Sequence, residues 1–246
     1  GMLWQHLTRT RVAGTLGVTL GLAAPMMMNG IYNAGGGSSV GWWPGASSAF
    51  GGYWLAASGY VVGSLWAEAR KPRRPSSERS GAALLTPRRL GDYLDPNVGW
   101  ALGVFVVIAV ATVVAWRLAP LPSSSMPSPI SAEWPTVVAP LLVGILAMCG
   151  AWWTAHRVER APDDATLAYE ELTRTATVNA LTGAAIAMSG EFVAQFASLP
   201  RDGAQISPWL LLPMSLVSLL GLGIWAGCGT KLVFRNRRID ALRAAA

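Results

Sequence analysis

Charge is what this chain has least of. Asp, Glu, Lys and Arg make up 13% of its 246 residues, about half the share found in an ordinary soluble domain. With 52% hydrophobic residues and a mean hydropathy of +0.38, too little polar surface remains to coat a water-facing globule. The same balance excludes an intrinsically disordered chain, which needs more charge and fewer apolar groups. The two cysteines, Cys149 and Cys228, both lie inside apolar stretches, where a thiol behaves as a small hydrophobe rather than as half of a disulfide framework. The two histidines, His6 and His156, are too few for a multi-histidine metal or haem site. Neither a Walker A phosphate loop nor a His-Glu-x-x-His pair is present. No catalysis, resident cofactor or metal is therefore expected.

What the chain does have is apolar stretches of about twenty residues, separated by short charged ones. As a helix rising ~1.5 Å per residue, each can cross a hydrocarbon layer of ~30 Å. The expected architecture is all-α, a polytopic membrane helical bundle with six transmembrane helices in one domain. The spans fall at about 12–32, 48–67, 99–119, 135–155, 177–199 and 208–234. The inner loops are residues 68–98 and 156–176. The first stretch exceeds a signal-peptide core in length and is read as a retained anchor.

Orientation follows from the basic residues, which concentrate in cytoplasmic loops of membrane proteins. Arg9 and Arg11 precede the first span. Seven more, from Arg70 to Arg89, lie between the second and third, and Arg157, Arg160 and Arg174 lie between the fourth and fifth. Lys231 and four arginines follow the last span. Of 19 Lys and Arg, only Arg117 and Arg201 fall on the other side. Both termini are thus expected in the cytoplasm of a bacterial plasma (inner) membrane. The basic clusters are expected to meet lipid headgroups and not nucleic acid, because no aromatic residues interleave with them as a stacking platform. Trp66, Trp152 and Trp153 are expected at the inner interface, and Trp42, Trp43, Trp134 and Trp209 at the outer one, as amphipathic indoles prefer.

The inner loops carry local signals. Thr86-Pro87 reads as an N-cap followed by proline at the first helical position, so a short helix is expected from about Pro87 to Leu94, stopping before Pro96. Asp163 or Asp164 is expected to cap a second helix that runs through Glu170, Glu171 and Arg174 into the fifth span, its acids explained by the helix macrodipole. An ungapped offset of 87 residues aligns Gly63, Trp66, Arg70, Arg73 and Pro75 with Gly150, Trp153, Arg157, Arg160 and Pro162. If the match reflects a repeat, it makes two parallel hairpins with matching inner elbows.

A carboxylate inside a span is costly and marks a candidate site. Glu191 stands in the fifth span with Gln195 four residues on, on the same helical face. Asn29 and Asn33 end the first span on the same side of the membrane, and these four are the substrate or ion candidates. A packing contact to a neighbouring helix, with Arg117 or Arg201 as a partner, is the plainer alternative for Glu191. Arg88, Arg89, Asp92, Arg157 and Arg160 are the candidates for docking a cytoplasmic partner. Glycine runs such as Gly221, Gly223 and Gly227 favour close helix packing, within the bundle or between protomers of a homo-oligomer.

Six spans, both termini inside, a basic N-terminus and a short helix in the first inner loop resemble the membrane subunits of small ABC-type exporters, in topology and size. The alanine- and glycine-rich composition, with arginine far outnumbering lysine, is similar to that of actinobacterial multi-spanning membrane proteins. The resemblance implies a transport subunit whose inner-loop helix couples to a separate cytoplasmic ATPase. The alternative is an accessory, scaffold or regulatory subunit of a membrane complex, which needs packing faces and docking loops but no polar path.

Overall fold

The computed structural model describes Leu16, Thr19 and residues 53–69, 89–118, 134–157, 164–197 and 208–230. Most of the first expected span, with Asn29 and Asn33, lies outside the described residues, as do Arg88 and Arg160. Within them every element is helical. In chain order these are α1 (Tyr53–Ala69), α2 (Leu90–Tyr93), α3 (Pro96–Leu118), α4 (Trp134–His156), α5 (Asp164–Ala197) and α6 (Pro208–Thr230).

The second to fifth expected spans each fall on a helix, and the sixth does so up to Thr230. Two segments, Pro96–Ala115 of α3 and Val137–His156 of α4, are long and apolar enough to cross a membrane by themselves, and α6 is apolar over Pro213–Cys228. The described α1 has only 17 residues. The 34 residues of α5 carry Thr, Asn, Ser, Glu and Gln along their length.

The distribution of polarity is inverted relative to a water-soluble bundle. The most polar long helix, α5, is the buried one: Val178, Asn179, Leu181, Thr182, Ala184, Ile186, Ala187, Met188, Glu191 and Val193 are fully enclosed. The apolar helices surround it and turn their large side chains outward. Val106, Val107, Val110 and Val114 of α3, Leu141, Leu142, Ile145 and Leu146 of α4, and Leu216, Leu219 and Leu220 of α6 are all exposed. Only 11% of the Pro96–Ala115 segment is buried. In water this arrangement would forgo most of the apolar burial that drives folding. Against hydrocarbon it leaves lipid-compatible groups outside and polar groups inside.

Helix directions alternate around α5. Ala57 of α1 packs beside Ala187 and Met188, while Glu68 near its other end reaches Thr177. On α4, Val137 meets Phe196 and Gly144 meets Met188 and Ala185. On α6, Ser218 faces Glu191 and Cys228 faces Gly183. These three helices run antiparallel to α5. In α3, Asp95 lies beside Asn179 and Phe105 beside Gly190, so α3 runs parallel to it. Small residues set the separations: Ala147, Ala151 and Ala155 form one stripe of α4 in the core shared with α1, α2 and α5. Between α5 and α6, a Cβ added at Gly221 would come within 3.1 Å of the Ala187 Cα.

The elbow before α3 differs from the sequence expectation. The short helix is a single turn, Leu90–Tyr93, and its N-cap is Arg89, not Thr86. The Asp92 carboxylate accepts from the Arg89 backbone N–H at 2.9 Å and so closes the turn from its third position. Leu94 is extended. Asp95 then caps α3, its Oδ1 accepting from the Asn97 N–H at 2.9 Å, with Pro96 at the first helical position. The Asp-Pro pair is therefore the start of α3 as well as the stop for the preceding turn. The second elbow is as expected, with α5 running unbroken from Asp164. The two aligned hairpins thus part at their elbows: Leu94 ends a turn, whereas its offset-87 counterpart Leu181 lies mid-helix.

Candidate functional site

Polar groups collect at two levels of α5. At the first, side chains come from α1, α2 and α5 and from Arg157, just past the end of α4. Asn179, with no exposed surface, donates from Nδ2 to the Tyr93 carbonyl at 2.8 Å and accepts through Oδ1 from the Asp95 backbone N–H at 2.8 Å. It occupies the gap in backbone hydrogen bonding left by extended Leu94, as a third peptide group would. The same amide also donates to the Thr175 carbonyl of its own helix.

One turn earlier, Arg174 and Glu171 form a buried pair at 3.3 Å, with side chains 3% and 1% exposed. Burying two charges costs more than their attraction returns unless further hydrogen bonds complete them. Arg174 Nη1 also donates to the Tyr93 hydroxyl at 3.2 Å, and its guanidinium lies over the Tyr93 ring, 5.5 Å from the centroid. Burial pushes the Tyr93 phenol above its usual range, with the Arg174 hydrogen bond opposing and the nearby Glu171 charge adding to the rise. Glu171, which the sequence reading explained by the helix macrodipole, is thus enclosed in an ion pair, and Arg174 is buried with it instead of meeting lipid headgroups.

A third strand of this network joins α1 and α4. Arg157 Nη1 donates to the Glu68 backbone carbonyl at 2.6 Å and lies 3.9 Å from its carboxylate, and its guanidinium sits over Trp153. The buried Glu68 carboxylate also accepts from Thr177 Oγ1 at 3.4 Å. Arg157, a docking candidate, is thus engaged within the bundle, while Arg89 is exposed and Asp92 half-buried. Around this end, Trp66, Trp152 and Trp153 are exposed.

At the second level stands Glu191, with no exposed surface. Its Oε1 accepts from Gln195 Nε2 at 2.7 Å and its Oε2 from Ser218 Oγ of α6 at 3.0 Å. Glu191 and Gln195 are brought together as their spacing implies. The side chain of Arg117, and Arg201, lie outside the described residues. Between the levels, Gly183 to Met188 is a stretch of six apolar residues, ~9 Å long at helical rise, all of it buried. The hydroxyls flanking it bond back to their own helix, Thr182 to Val178 and Ser189 to Ala185.

Sequence reasoning missed the network at the first level. Tyr93, Asp95 and Glu68 sit in a loop or at a helix end, where nothing in their spacing marks burial. The available signal was Asn179, an amide near the start of the fifth span that has to find a partner. Among the described residues no cluster of three His, Cys, Asp or Glu is placed to hold a metal ion. Comparisons with known protein families, curated proteins and solved structures give no match.

Proposed function

We propose that this chain is a membrane-spanning subunit of a transporter in a bacterial plasma membrane, with six spans and both termini in the cytoplasm, powered by a separate ATPase. The observation that carries this reading is the clamp of Asn179 on Tyr93 and Asp95. It ties the inner elbow to the one helix whose other end holds the enclosed carboxylate Glu191. A push on an elbow that presents exposed Arg89 would therefore be delivered to α5, as a coupling element requires. The outward apolar faces and the exposed Trp66, Trp152 and Trp153 support the membrane setting.

Purification from the native host in mild detergent tests this. A stoichiometric ATPase that is retained by the wild type and lost on charge reversal at Arg88 and Arg89 is the expected result. Recovery of the chain alone, or only with copies of itself, overturns the transporter reading. An accessory or scaffold subunit is the second reading, and the buried apolar stretch from Gly183 to Met188 favours it, since it leaves no polar path along α5. That path is not needed for an apolar or amphipathic substrate.

A further inference from the structure

We propose that Glu191, Gln195 and Ser218 form a binding site for one monovalent cation, a sodium ion or a proton, between α5 and α6. Charge balance is the first argument. Glu191 is wholly enclosed, and both observed partners of its carboxylate are neutral. Among the described residues no Lys, Arg or His pairs with it, and the segments of α3, α4 and α6 packed around it contribute no charged side chain. An enclosed carboxylate is costly in a membrane bundle unless a positive charge meets it. One positive charge balances it, whereas a divalent ion would leave an excess of the opposite sign.

The donor set is the second argument. The carboxylate supplies two oxygens, the Ser218 hydroxyl a third and the Gln195 amide a fourth once it turns by half a rotation. Oxygen donors of this kind suit hard cations. Ser218 is 1% exposed, and its hydroxyl can donate to a carboxylate or accept from a carboxylic acid, so its contact with Glu191 suits the carboxylate of a sodium-bound site or the acid of a proton-bound one. Rigidity is the third. Gly190 and Gly221 bring α5 and α6 into backbone contact on either side of Ser218: a Cβ at Gly190 would lie 3.1 Å from the Val217 carbonyl oxygen.

The proposal rests on the membrane reading of the bundle and not on the ATPase. The test uses the purified full-length chain in detergent, with thermal unfolding followed in sodium chloride against N-methylglucamine chloride at equal ionic strength. A ligand that binds only the folded state raises the midpoint, so sodium is expected to raise it by about 5 °C in the wild type. E191Q, which keeps a hydrogen-bonding side chain of the same size, should show no sodium response, and S218A should need about tenfold more sodium. If the cation is a proton, sodium has no effect and the infrared spectrum of the wild type contains a protonated-carboxyl band that E191Q removes. Absence of both signals overturns the proposal, as does stabilisation by calcium but not by sodium. So does an arginine partner, revealed if R117Q or R201Q destabilises the wild type and leaves E191Q unchanged. Release of the native protein from membranes by alkaline carbonate would overturn the membrane reading itself. Retention without a cation signal would overturn only the site.

Discussion

Asn179 holds Tyr93 by its backbone: the amide donates to the Tyr93 carbonyl and, through its oxygen, accepts from the Asp95 N–H two residues on, both at 2.8 Å. The bonds join residues more than eighty positions apart and fix the elbow against the central helix. Truncation to N179A would leave a backbone N–H and a carbonyl enclosed without partners, a loss of about 2–4 kcal/mol. The expected outcome is a lower unfolding midpoint in detergent, with hydrogen exchange accelerated at the Asp95 amide more than in the middle of α5. Equal exchange at both places would show that the clamp does not hold the elbow.

Tyr93 supplies a pH-dependent component. Its phenol is raised, chiefly by burial, so the folded chain holds the proton longer than the unfolded chain does. Its contribution to stability is fully present below the ordinary phenol value of about 10 and is lost as pH rises through the folded-state value. The wild type should therefore lose stability across that alkaline window more steeply than Y93F. Parallel curves for the two proteins would contradict the assignment.

Two glycines of α6 make a matched pair for testing how α5 and α6 meet. A Cβ at Gly221 would lie 3.1 Å from the Ala187 Cα and 3.2 Å from the Ile186 carbonyl oxygen, while at Gly227 it would meet nothing within 4 Å. G221V is expected to destabilise by about 1–3 kcal/mol through overpacking. G227A should be neutral or slightly stabilising, since alanine favours helix more than glycine does. Thermal unfolding of both in one detergent checks the contrast.

Cys149 separates exposure in the isolated bundle from exposure to water. It lies on the outward face of α4, near exposed Leu146 and Trp152. A charged, water-soluble maleimide is kept out of hydrocarbon by the cost of desolvating it. Cys149 in intact membranes is therefore expected to resist a water-soluble maleimide and to react after denaturation, as should buried Cys228. Rapid labelling of Cys149 in sealed vesicles would place this face in water.

The legible parts of the chain were those governed by local pattern. Long apolar runs located the cores of α3, α4 and α6 because hydrocarbon length and helical rise leave few alternatives. The acidic start at Asp163-Asp164 marked the unbroken entry into α5, and the i,i+4 spacing put Gln195 on Glu191. What the sequence alone determined was the helical class and the apolar lengths, since both depend on neighbours within a turn or two.

Only the tertiary structure decided which helix is central and which side chains are enclosed. Tyr93 and Glu68 meet partners 81 to 109 residues away, and no local spacing encodes such contacts. Asp95-Pro96 shows the difference within one dipeptide: proline fixed a boundary, and whether it closed a turn, opened a helix or did both was settled by Asn179 on another element. Ser218 was likewise one hydroxyl among many apolar residues until antiparallel packing of α6 on α5 set it against Glu191.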